Sequence, residues 1–183
     1  MASVEKTYAD ALFSLLEEEN AEKSVFDSVV SQLTAVKEVV RTLPDFVKLM
    51  NTPTISDGEK LVLVENTFKD KTSDYVCNFL RLLVLKKRVA YFPQICNAFR
   101  ILYNERFKIA EITVTSSMPL NDGLREKITQ RMSQITGKAV SLTEKVDKSV
   151  IGGIVVDYGN TRLDGSIKTR LAELKKDIGD IIA

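Results

Sequence analysis

At Ile109 the apolar residues of this chain change their period, and that change limits the possible folds more than any other feature. From Val4 to Phe107 they recur three and four apart, the spacing of a helix with one face turned to a core. Val4, Tyr8, Leu12 and Leu15 form one stripe and Ala9, Phe13 and Leu16 a second beside it, so the first helix has two things to bury against. A second helix is predicted from about Ser24 to Leu43, closed by Pro44, because the residue before a proline is pushed out of helical space. A short apolar segment, Phe46 to Met50, leads into a turn at Asn51-Thr52-Pro53-Thr54. Ser56-Asp57-Gly58-Glu59 reads as a capping box that opens a helix through Phe68. Ser73 or Asp74 caps the fifth helix, in which Tyr75, Val76, Phe79, Leu80, Leu82, Leu83 and Val84 cover most of the circumference. Phe92, Ile95, Cys96, Phe99, Leu102 and Tyr103 carry a sixth, to Phe107.

Beyond Ile109 the period is two. Ala110, Ile112 and Val114 alternate with polar residues as in a half-buried strand. Asn121 then caps a helix bearing Leu124, Ile128, Met132 and Ile135, which Gly137 ends. Val140 to Val146 alternates again, and Gly152-Gly153 precedes the β-branched run Ile154-Val155-Val156. Gly159-Asn160 supplies a two-residue hairpin turn. A last helix from about Ser166 places Ile167, Leu171, Leu174, Ile178 and Ile181 on one face. The expected fold is mostly α with a small α+β part: a six-helix bundle over residues 1–107 and a strand-and-helix domain over 108–183.

The chemistry such a chain can perform is narrow. It contains no histidine, which removes imidazole acid-base catalysis and histidine metal ligands, and two isolated cysteines, Cys77 and Cys96, cannot complete a zinc site. Both read as small buried side chains. Gly137-Lys138 fails the phosphate-loop pattern at Met132 and Ala139, and Gly152-Gly153 lacks the third glycine of a dinucleotide site; it reads as a bulge or close backbone contact. No catalytic, metal or cofactor residues are assigned.

Lys plus Arg number 26 against 25 Asp plus Glu, so no basic field is available for nucleic acid. Glu17-Glu18-Glu19 reads as a solvated cluster and Lys86-Lys87-Arg88 as helix-end charge. No apolar run approaches the roughly 18 residues that span a bilayer. The N-terminus enters a helix pattern directly, as expected of a bacterial cytoplasmic chain.

Several stretches resemble one family. Val146-Asp147-Lys148-Ser149-Val150-Ile151-Gly152-Gly153-Ile154-Val155-Val156-Asp157-Tyr158-Gly159, followed by Asp164-Gly165-Ser166 and Arg170-Leu171, resembles the C-terminal signature of ATP synthase delta subunits and the mitochondrial oligomycin-sensitivity-conferring protein. Tyr8-Ala9-Asp10-Ala11-Leu12, Asn51-Thr52-Pro53, and Asn78-Phe79-Leu80 with Arg88 agree in order. So does Val114 to Leu120, with Ser117 where alanine is more usual.

The resemblance implies a non-catalytic stator subunit, without cofactor and present once per complex, at the cytoplasmic face of the cell membrane but not inserted in it. It implies that the bundle grips the N-terminal segment of an alpha subunit in a groove between the first and fifth helices, with Tyr8, Ala9, Leu12, Phe13, Phe79, Leu80 and Leu83 as lining. The C-terminal part would hold the b subunits of the peripheral stalk, with Ile167, Leu171, Leu174 and Ile178 facing them. Asn78, Arg88, Gly152, Gly153, Asp164, Gly165 and Ser166 are the family's structural signature. A helical adaptor unrelated to ATP synthase is the alternative that the two-sided helices also suit.

Overall fold

Among the described residues, six α-helices precede the first strand: α1 (Val4–Glu18), α2 (Lys23–Thr42), α3 (Pro44–Asn51), α4 (Asp57–Phe68), α5 (Asp74–Leu85) and α6 (Phe92–Arg106), with a 3₁₀ turn at Val89–Tyr91. The computed structural model describes residues 3–52 and 54–171. The local signals account for most boundaries. Ser56 accepts from the Glu59 backbone amide while the Glu59 carboxylate accepts from the Ser56 amide, so α4 opens on the predicted capping box. The turn expected at 51–54 begins later than predicted, because α3 takes in Asn51. Pro53 lies outside the described residues. Pro44 does not simply close α2: Leu43 caps both helices and Pro44 is the first residue of α3, where its missing N–H has no intrahelical partner to lose.

The core of this part is aromatic and aliphatic. Leu16, Val29, Val64, Val76, Leu83, Phe92, Ile95 and Phe99 are all but inaccessible. Phe13 sits with its ring centroid 5.1 Å from Phe26 and 5.6 Å from Phe99, tilted against one and edge-on to the other. Both cysteines are free and buried. Burial pushes the Cys96 thiol up to about 12, so it remains protonated and acts as a small apolar group that donates weakly to the Leu33 carbonyl.

The second compact unit begins at Asn104. Its sheet has the order β2-β1-β3-β4, with β1 at Ile109–Ser116, β2 at Ala139–Val146, β3 at Ile154–Tyr158 and β4 at Thr161–Asp164. β1 and β2 are parallel, joined by α7 (Asp122–Thr136), and β1, β3 and β4 pair antiparallel. Asn121 caps α7 by accepting from the Leu124 amide, and Gly137 ends it at φ 65°. The alternation predicted for β1 is real: Ala110, Ile112 and Val114 are buried. Ile112, Val114, Leu120, Ile128, Met132 and Val156 form one core, while Leu124 and Ile135 stay exposed. Gly159-Asn160 makes the β3–β4 turn, and residues 167–171 are helical.

Candidate partner-binding groove

α1 and α5 each carry a second apolar stripe that starts at the edge of the core and runs out to the surface. On α1 the stripe runs through Ala11, Leu12 and Leu15 to Glu19; on α5 it runs through Tyr75, Asn78, Phe79 and Leu82. Both have the three- and four-residue spacing of one helix face. Between them lies a groove of about 800 Å³, closed at one end by Thr72, Ser73 and Asp74. Its floor is nearly inaccessible, Leu12 and Phe79 being buried, and its walls are open: Leu15 is 42% exposed and Leu82 39%. Tyr8 extends the same side of α1, its ring edge-on to Phe79 at 6.5 Å.

Polar contacts fix the groove's frame. The Gln32 side-chain oxygen accepts from the Ser73 amide at 2.7 Å and from its hydroxyl at 2.9 Å, tying the start of α5 to α2. Arg81 pairs with Glu65 at 3.3 Å and links α5 to α4. The Arg88 amide donates to the Leu83 carbonyl at 2.8 Å, ending the helix, and its guanidinium lies over the Tyr91 ring. Across the closed end, the Tyr75 hydroxyl donates to the Glu19 carboxylate. That hydrogen bond, with lesser contributions from burial and the carboxylate's charge, raises the Tyr75 phenol above its ordinary value.

The seven lining residues expected from sequence divide between two faces. Leu12 and Phe79 line the groove and Tyr8 borders it. Ala9, Phe13, Leu80 and Leu83 are buried and do not line it, Leu83 completely and Phe13 within the aromatic cluster. The reason is rotation. One residue turns a helix by about 100°, so Leu83 and Leu82 face different neighbours although both look equally apolar. Ala11, Leu15, Glu19, Tyr75 and Leu82 were not among those seven. One signal was present, because Asn78 is a polar residue in a very apolar helix and marks the wet side, and Tyr75 and Leu82 flank it at three and four residues.

In the strand unit the signature residues pack against one another. Gly153 has φ 84°, and a Cβ there would lie 2.4 Å from the Gly165 carbonyl oxygen and 2.9 Å from Ser166 Cα. The Gly165 amide donates to the Ile154 carbonyl at 3.0 Å, and the Ile167 amide to the Gly152 carbonyl at 2.9 Å. Asp164 accepts from the Ser166 amide at 2.9 Å, and the buried Ser166 accepts from the Thr169 amide at 3.3 Å. The glycine pair is thus the close backbone contact read from sequence, and Asp-Gly-Ser is its counterpart. Ile167 and Leu171 are exposed. Leu174 and Ile178 lie outside the described residues.

Among the described residues no group of three or more carboxylates and cysteines is placed to hold a metal ion, and no helix is long and apolar enough to cross a membrane.

Comparison with known proteins gives one family. The family described as ATP synthase delta (OSCP) subunit matches residues 4–178. The chain is 34% identical over 179 residues to the ATP synthase subunit delta of Clostridioides difficile (strain 630), covering 96% of each. It is 37% identical over 174 residues to that of Desulforamulus reducens, covering 94% of this chain and 93% of the relative. Its fold matches a chain in the cryo-EM structure of the Toxoplasma gondii mitochondrial ATP synthase hexamer with a TM-score of 0.71 at 21% identity, covering 97% of this chain and 98% of that one.

Proposed function

The chain belongs to the ATP synthase delta (OSCP) family, and from that premise we propose that it is a stationary joint of the complex, holding the catalytic head against the torque of the rotor. It is a structural subunit of an enzyme complex and not itself the enzyme. In this reading the helical unit receives the N-terminal segment of an alpha subunit, and the strand unit receives the b subunits of the peripheral stalk. One copy serves each complex, peripheral at the cytoplasmic face of the membrane.

The observation that carries the reading is the α1/α5 groove. Its paired stripes with a buried floor and open walls suit the insertion of an amphipathic helix, whose anchors recur three and four residues apart. A torque-bearing joint needs affinity and no reactivity, and buried apolar contact supplies it. Exposed Ile151, Ile167 and Leu171 support the stalk-binding role of the second unit.

The test is calorimetric titration of the purified chain with a synthetic peptide of the alpha-subunit N-terminal segment. Saturable one-to-one binding with a gain in helicity is expected. Absence of binding up to about 1 mM peptide, where the interaction would be worth only about 4 kcal/mol, overturns the groove assignment.

A further inference from the structure

The groove is electrically lopsided. Its closed end is where the C-terminal end of α1 meets the N-terminal end of α5, joined by the Glu19–Tyr75 hydrogen bond. The helix dipoles there have opposite sign and offset each other, so side chains set the local potential. The lining at that end carries two carboxylates, Glu19 and Asp74, and the groove lining as a whole contains no lysine or arginine.

Asp74 has a reason within the fold, since an acidic residue in the first turn is favoured by the helix dipole. Glu19 has the opposite bias. It caps the C-terminal end of α1, where a carboxylate is disfavoured, and no basic residue occupies the last turn to offset it. Its contact is the Tyr75 hydroxyl, which aims the carboxylate across the groove end without neutralising it.

We propose that the groove accepts its helical occupant in one orientation only, with a lysine or arginine at one end of the occupant's apolar stripe meeting Glu19 and Asp74, and with Tyr75 as the positioning residue that holds the Glu19 carboxylate. The proposal rests on the groove reading above and adds its polarity and charge requirement. Apolar anchors alone would allow a helix to enter in either direction; a charge pair at one end makes the reversed direction unfavourable.

The probe is the alpha-subunit N-terminal peptide, labelled for fluorescence anisotropy and titrated at low and high salt into the full chain. Glu19→Gln combined with Asp74→Asn should weaken binding about fivefold to tenfold at low salt and flatten the salt dependence. Tyr75→Phe should weaken it less, and also reduce the salt slope. Glu19→Lys should be rescued by a peptide whose end lysine or arginine is changed to glutamate. A nitroxide on the peptide's basic end should broaden the amide signals of Ser73 to Asn78, and one on the opposite end should not. If the peptide binds and Leu82→Ala weakens it, while the neutralised variant stays within twofold at both salts or both nitroxides broaden the same signals, the polarity is overturned and the groove survives. If no variant or wild-type chain binds the peptide, the groove reading falls and takes the polarity with it.

Discussion

In the strand unit the residues that make this chain recognisable face inward, onto backbone; in the helical unit the corresponding stretches straddle a core face and an open groove. Gly153 is held against Gly165 and Ser166 so closely that a single methyl group has no room. Leu15 and Leu82 meet the opposite condition, with large apolar side chains left substantially in water. A motif can therefore be distinctive because the fold cannot close without it, or because a partner is expected to cover it. The two cases respond differently to substitution, and that difference can be measured.

The largest effect is expected at the glycine contact. Gly153→Ala must strain a backbone at φ 84° and displace the Gly165 carbonyl, which together should cost about 3–5 kcal/mol. Gly159→Ala is the control: φ is 55° but nothing lies within 4 Å of the added Cβ, so strain alone, about 1–2 kcal/mol, is expected. Urea denaturation followed by amide exchange in β1 and β3 reads both. Equal losses at the two positions would show that steric closure at Gly153 is not the cause.

The middle effect separates the two faces of α5. Leu83 is fully buried, so Leu83→Ala should remove about 2–5 kcal/mol of stability. Leu82 has no closed cavity to leave, so Leu82→Ala should barely move the denaturation midpoint yet weaken alpha-subunit peptide about tenfold or more. Phe13→Ala belongs with Leu83, because its ring packs on Phe26 and Phe99. A Leu82→Ala variant that melts early but binds peptide normally would return Leu82 to the core and break the distinction.

The same distinction explains what was legible in the sequence. Features decided within a few residues could be read directly: the Ser56–Glu59 box, the Asn121 cap, the left-handed Gly137 and the Gly159-Asn160 turn all depend on local geometry. Strand alternation at Ala110, Ile112 and Val114 was equally plain, because a half-buried sheet repeats every two residues. A surplus of apolar surface on α1 and α5 was legible in their periodicity, whereas the pairing of these two helices into a groove was implied by the family resemblance and its lining was not legible. Which side of a nearly all-apolar helix meets the core depends on residues far away in sequence, such as Phe26 and Phe99 around Phe13, and periodicity carries no record of them.

The smallest effect concerns charge at the inward-facing contact. The Asp164 carboxylate accepts the Ser166 amide, and that backbone hydrogen bond, followed by one from the Ser166 side chain, holds its pKa below the ordinary carboxylate value. A carboxylate whose pKa is lower folded than unfolded stabilises the fold fully above its unfolded value, and that stabilisation is lost as pH falls through the folded value. Asp164→Asn keeps an oxygen acceptor and removes the charge, so it should lower the urea midpoint slightly at neutral pH. As the pH is lowered below the carboxylate range the two proteins should converge, since wild type then carries a neutral side chain as well. Because the group is exposed, the separation should be small, and its pH dependence, more than its size, carries the information. A gap between wild type and Asp164→Asn that stays constant from neutral to strongly acidic pH would mean that the Asp164 side chain acts by shape alone. The contact between Gly153 and Gly165-Ser166 would then owe its stability to steric fit without electrostatic help, which would set it further apart from the acidic end of the α1/α5 groove.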